Sequence, residues 1–248
     1  MMPGMERIGS ALCELLRERK IIARCELLNR TYEFVRDAAP NSRELEELRG
    51  MVGERIAPGI FACIMNDSPI LNLPKLDTYT QMNGIIFHFI HTQKYSKQDF
   101  DNAYRRFMTS LPELKVILRR NLRDLLVDFM DEAGYRLMEE SPECLRFEAV
   151  ENRINVLILT SIRSVDLNKC RSDEECIILT PSSENLDPFM QFFRQKGQAA
   201  EDAGVQIWVA NMEKGTIDPF IGYTTDMDIY GQFKNPRMAE MVRTHWKK

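Results

Sequence analysis

The chain has 248 residues, 44% of them apolar and 28% charged, with a net charge of -4. That is enough apolar sequence to bury one large or two smaller cores, and too acidic a balance for a protein that coats nucleic acid or anionic lipid over its whole surface. No apolar run reaches the ~20 residues that a membrane-spanning helix needs; the longest candidate, "GIIFHFI", is far shorter. The N-terminus carries Glu6, Glu14 and Glu18 in an amphipathic pattern, which does not suit a secretory signal and leads us to expect a cytoplasmic protein. Six cysteines form no C-x-x-C pair, so isolated reduced thiols are expected rather than zinc. A Cys170–Cys176 bridge across a hairpin is conceivable in geometry but disfavoured in a reducing compartment.

In chain order, the apolar spacing predicts helices first. "ALCELLRERKIIARCELLNRTYEFVRDAA" repeats leucine and isoleucine at three- and four-residue intervals up to Pro40. "SRELEELRGMVGERIAPGIFACIM" reads as a second helix capped by Ser42, and "SPILNLPKLD" as a connector. "TYTQMNGIIFHFIHTQ" reads as a third, "SKQDFDNAYRRFMTS" as a fourth behind a Ser96–Asp99 capping box. "LPELKVILRRNLRDLLVDFMDEAG" is the fifth, with Pro112 just inside its start and Gly134 past its end. The period then changes to that of strands: "YRLMEE", "CLRFEAVE", "RINVLILTSI" and the fully apolar "CIILTPSS". A helix over "ENLDPFMQFFRQKGQAAEDAG" comes next, then "VQIWVAN", a hairpin turn at Lys214–Gly215, "TIDPFIGYT" and a closing helix "NPRMAEMVRTHW". The expected fold class is α+β: a helical region over 1–110 and an α/β domain over 111–248, joined near "TSLPE". The wide apolar faces of the first helices, 11–65, suit a homodimer.

The order helix, β-hairpin, third strand, helix, fourth strand over 113–211 resembles the core of the restriction-endonuclease-like superfamily, Mrr type. "LRDLLVDFMDEAGYRL" is similar to its opening helix with a terminal glycine–aromatic pair, and "RINVLIL" to the strand bearing its first catalytic aspartate. "CIILTPSS" is similar to the strand ending in its acid-x-lysine motif. The resemblance implies a central mixed sheet flanked by helices. It places Asn155 at the metal-binding aspartate, and Thr180 and Ser182 at the second acid and the lysine. An amide and two hydroxyls supply neither the charge to hold Mg²⁺ nor the lysine that positions the attacking water. The expected function is therefore a catalytically inactive binding module with no cofactor. Nucleic acid is its candidate partner, contacted through Arg119, Arg120, Arg123 and Arg163. The alternative is a Mg²⁺-dependent nuclease with migrated acids, drawn from Glu148, Glu151, Asp166, Glu174 and Glu175, with Glu148 and Glu175 as its first two. A winged-helix regulator with a ligand-sensing α/β domain is a further alternative, in which Arg119, Arg120 and Arg123 lie on the recognition helix.

Other constellations favour structural roles. His88 and His91 are one helical turn apart, a spacing that can chelate a metal, but Phe87, Phe89 and Ile90 around them suit ring packing. The hydroxyls of "TPSSENLDP" could meet a phosphate at a helix N-terminus, yet they equally suit an N-cap, and Glu184 opposes an anion. Nothing places His245 beside a serine nucleophile. Asp218, Asp226 and Asp228 lack the glycine-bracketed pattern of a calcium loop and suit turns. No G-x-x-x-x-G-K or G-x-G-x-x-G is present.

Overall fold

The computed structural model describes residues 3–66, 68, 77–79, 88–92, 94–142, 144–170, 175–182 and 187–246. The chain divides into two units, Met1–Asn121 and Leu122–Lys248. In the first, Met5, Ile8, Leu12 and Leu16 form one buried stripe along α1 (Pro3–Glu18). The long first helix expected from periodicity is interrupted here. Ile21–Ala23 is a strand, β1, and α2 (Arg24–Asp37) restarts directly after it. The second expected helix is also two. Asn41 rather than Ser42 caps α3 (Ser42–Val52), in a capping box with Glu44. Gly53 ends it at φ +94, a conformation that favours glycine, and α4 (Ile56–Met65) comes after it.

The helix expected over "TYTQMNGIIFHFIHTQ" is replaced at both ends by strands, β2 (Asp77–Tyr79) and β3 (Phe89–His91); residues 80–87 lie outside the described set. β3 sits between β1 and β2, antiparallel to both. This changes the histidine pair. His88 immediately precedes β3 and His91 lies in it, and residues three apart along extended chain point to opposite faces, so the helical chelating geometry is lost. Phe89 is buried against Phe100 and Phe107.

The fourth and fifth expected helices are one, α5 (Lys97–Glu132), opened by the Ser96–Asp99 capping box. Pro112 lies inside it. Proline cannot donate to the carbonyl four residues back, but Met108 and Pro112 both face solvent, where water can satisfy that carbonyl. The junction expected near "TSLPE" is thus helical, and the division between units falls after Asn121, eleven residues beyond residue 110. Asn121, 1% exposed, closes a buried polar knot by donating from Nδ2 to Asn29 O and Oδ1 at 3.2 and 3.0 Å, while Oδ1 accepts from Arg36.

In the second unit, Leu122, Leu125, Leu126, Phe129 and Met130 line the buried face of α5. Gly134 (φ +81) turns the chain out, with the Tyr135 N–H donating back to Met130 O. Six strands come next, in spatial order: β4 (Arg136–Glu140), β5 (Cys144–Glu148), β6 (Arg153–Ile158), β7 (Glu175–Pro181), β8 (Gln206–Asn211) and β9 (Thr216–Ile221). β4, β5 and β6 form an antiparallel meander, β6, β7 and β8 run parallel, and β9 returns antiparallel. No hairpin joins β6 to β7. Two 3-10 turns, Ile162–Ser164 and Leu167–Cys170, lie in that connection, and the Cys170 side chain is outside the described set. Cys13, Cys25, Cys63, Cys144 and Cys176 are in no disulfide.

Strand alternation sorts the side chains. Leu145, Phe147, Ile154, Val156, Ile158, Ile177, Leu179 and Trp208 share the face on which Phe129 meets Trp208. On the opposite face, Cys176, Ile178, Ile207, Val209 and Phe220 pack with Phe189, Phe192 and Ala200 of α6 (Asp187–Asp202). β7 is buried on both faces, which explains its uninterrupted apolar run. Pro219 is tolerated in β9, an edge strand, beside which α8 (Met238–Trp246) packs. A short helix not expected from the sequence, α7 (Met227–Gln232), precedes α8. The architecture is α+β, a helical N-terminal region followed by a six-stranded mixed sheet with interspersed helices. Among the described residues no helix is long and apolar enough to cross a membrane.

Candidate functional site

The positions suggested by the superfamily resemblance do not converge. Asn155 lies in mid-β6, in register with Cys176, and its Oδ1 accepts from Arg146 Nε at 3.2 Å. Thr180 is on the same face but four residues further along β7, ~13 Å at strand rise, and is completely buried with no hydrogen-bond partner for its hydroxyl among the described residues. Ser182 lies just past the strand, its N–H donating to Ala210 O. The first two alternative acids are also apart. Glu148 accepts from Arg153 Nε at 2.7 Å on one face of the sheet, and Glu175 stands with Ile154 on the other. Glu151 is in the β5–β6 turn, Asp166 caps Asn168 N–H, and Glu174 is outside the described residues. Residues 183–186 and the His245 side chain also lie outside them.

The four arginines are dispersed. Arg120 pairs with Glu33, Arg123 binds Glu140 through two nitrogens at 3.2 and 2.8 Å, Arg119 is half-buried, and Arg163 is exposed on the first 3-10 turn. Over 122–130 one face of α5 is buried and the other carries Asp124 and Asp128 beside Arg123, and at 36 residues the helix is long for a recognition helix.

A different set of groups does come together, at the end of the sheet where β5 finishes and β6, β7 and β8 begin. Asp226 Oδ2 accepts from Tyr135 Oη and from Asn152 Nδ2 (2.9 Å), while Oδ1 caps α7 through Asp228 N–H at 2.9 Å. Alongside, Trp208 Nε1 donates to Gln206 Oε1 at 3.0 Å and Gln206 Nε2 donates to Glu175 Oε1. Desolvation of its carboxyl pushes Glu175 above the ordinary carboxylate range, and the Asp226 charge adds to it against the Gln206 hydrogen bond. Burial also works to raise Asp226, but hydrogen bonds from Tyr135, Asp228 N–H, Asn152 and Ile229 N–H outweigh it and hold it low. Burial, then the Asp226 contact, raises the Tyr135 phenol. Asp218, by contrast, serves the chain path, accepting from Asn235 N–H at 2.7 Å. Among the described residues, no group of three or more His, Cys, Asp or Glu side chains could hold a metal.

This network has a stability signature. Asp226 has a depressed folded pKa, so its contribution is present above the unfolded value and lost as pH falls through the folded one. Tyr135→Phe removes a donor to that carboxylate. It should cost about 1–2 kcal/mol near neutral pH and much less in acid, read from urea unfolding at the two pH values.

By sequence, Asp226 suits a turn and Glu175 is one of several alternative acids, paired with Glu148 and not with Asp226. Their proximity depends on which strand starts lie side by side, which no local pattern carries. The segment 162–235, from the first 3-10 turn through α7, matches the C-terminal domain of DUF6834, a domain of unknown function. No curated protein matches the chain.

Proposed function

We propose that the chain carries a non-catalytic binding module built on a restriction-endonuclease-like core. The observation that supports this reading is the fate of Thr180. The position where the superfamily pattern would place a metal-binding acid is a hydroxyl sealed inside the sheet, away from Asn155, whose amide is held by Arg146. In-line hydrolysis through Mg²⁺ needs carboxylates that reach one ion together. Purified protein incubated with linear DNA and with RNA in Mg²⁺ or Mn²⁺ should leave both intact. Metal-dependent cleavage that vanishes in Glu175→Ala or Glu148→Ala would overturn the reading.

Nucleic acid is the ligand class that Arg119, Arg120, Arg123 and Arg163 would serve. Glu33 and Glu140 already engage two of them, so each phosphate contact there has to displace a carboxylate. Any DNA or RNA binding is expected to be weak, with a log–log salt slope of about -1 to -2, the signature of one or two neutralised phosphates. A slope steeper than about -4 in a filter-binding titration would mean that the arginines are free to act as a patch.

A further inference from the structure

The end of the sheet that carries the Asp226–Glu175 network is also where apolar side chains are left in solvent. Val150, at the tip of the β5–β6 turn, is fully exposed (102%), Met227 is 73% exposed and Tyr223 52%. They belong to two segments held together there. Asn152, two residues after Val150, donates to Asp226, next to Met227. A side chain at Gly222, which precedes Tyr223, would meet Gln206 Cγ at 3.2 Å, and Gln206 holds Glu175. The patch is thus a property of the fold and not of one mobile side chain.

Among the described residues its charge is predominantly negative. Glu148, Glu151, Glu175, Asp226 and Asp228 stand there against Arg136, in register with Glu148, and Arg153, which is bound to Glu148 at 2.7 Å. The Asp226 charge adds to the cost of ionising Glu175, which a cation beside the two would relieve. Apolar side chains beside an excess of carboxylates select for a partner with the opposite pattern. A second copy of this surface, a nucleic acid or an anionic membrane would each bring negative charge against negative charge.

We propose that this end of the sheet docks a lysine- or arginine-rich peptide segment of another protein that also carries apolar side chains. This deepens the binding-module reading by naming its partner class. Tyr223, Met227 and Val150 would anchor the apolar side chains, and Glu175, Asp228 and Glu151 would receive the cations.

The test uses full-length protein and three fluorescein-labelled peptides of equal length: alternating lysine and leucine, lysine and serine, and glutamate and leucine. Fluorescence anisotropy should show saturable binding of the lysine–leucine peptide, about tenfold weaker binding of the other two, and weakening as salt is raised. Glu175→Gln with Asp228→Asn should weaken the lysine–leucine peptide about tenfold, as should Val150→Ser with Met227→Ser. Glu46→Gln with Glu213→Gln removes one charge in α3 and one in the β8–β9 turn at the opposite end of the sheet, and should leave it unchanged. In wild-type protein, the Met227 methyl resonance should shift on peptide addition while that of Met51 stays put, a readout that does not depend on any variant folding. Absence of binding, equal binding of the lysine–serine peptide, equal loss in the Glu46 and Glu213 control, or a silent Met227 resonance each overturns the proposal. Nucleic-acid cleavage is a separate readout, so failure of the non-catalytic reading would be recognised independently.

Discussion

Trp208→Ala is expected to destabilise the α/β unit by about 3–5 kcal/mol, the range for deleting a large aromatic from a packed core. Trp208 is completely buried, edge-on to Phe129 at 5.7 Å and to Phe233 at 5.2 Å. Truncation therefore leaves a cavity lined by two rings from α5 and the α7–α8 connection. It also strips Gln206 Oε1 of its indole donor, loosening the side chain that holds Glu175. Trp208→Phe separates the two contributions: it restores most of the packing and none of the N–H, and should cost nearer 1–2 kcal/mol. Urea unfolding followed by circular dichroism measures both. A loss below about 1 kcal/mol for the alanine variant would mean that these rings do not carry the core.

Gly59→Ala should be the most damaging small substitution in the N-terminal unit. A Cβ at Gly59 would lie 2.0 Å from the carbonyl oxygen of Val52 and 2.8 Å from its carbonyl carbon, backbone atoms that cannot rotate away. Two effects oppose each other. Alanine is the better helix former by about 1 kcal/mol, but forced overpacking costs about 1–3 kcal/mol and more when backbone must move. The clash wins, so we expect a net loss of about 2 kcal/mol or more. Gly50 supplies the control. It lies inside α3 with nothing within 4 Å of its would-be Cβ, so Gly50→Ala should raise stability by up to about 1 kcal/mol. Equal effects of the two substitutions in thermal melts would refute the close approach of α4 to the end of α3.

The contrast between the two units also marks how far the fold is legible in the sequence. In the α/β unit the strands are long enough to show their period, and the turn residues between them are strong. β4 to β9, α6 and the Lys214–Gly215 hairpin fall where "YRLMEE" to "TIDPFIGYT" predicted them. In the N-terminal unit the misses share one cause. "IIA" and "FIH" are three-residue strands that are extended because of distant pairing, Ile22 meeting Ile90 68 residues away. An isolated Ile-Ile pair fits a helical stripe equally well. The fusion of the fourth and fifth helices has a different origin. Pro112 resembles a first-turn proline, and only its solvent-facing position reveals that the helix can continue through it. The candidate site was legible as residue types and not as a constellation: Asp226, Glu175 and Tyr135 were each visible, but their meeting depends on the parallel run of β6, β7 and β8.

The continuity of α5 bears on how this protein can be dissected. A fragment ending at residue 110, where a linker would be placed by sequence, would lack Leu114, Ile117 and Asn121. The carbonyl and side-chain oxygens of Asn29 would lose their donor, and Glu33 would lose Arg120. The complementary piece would begin with helical turns that have no core of their own. Severing the chain at its apparent hinge would therefore yield two incomplete bodies instead of two modules, and gene fusions or deletions with breakpoints there should be insoluble. A breakpoint that respects the architecture keeps residues 1–121 whole and leaves the rest of the helix as the first element of the α/β unit.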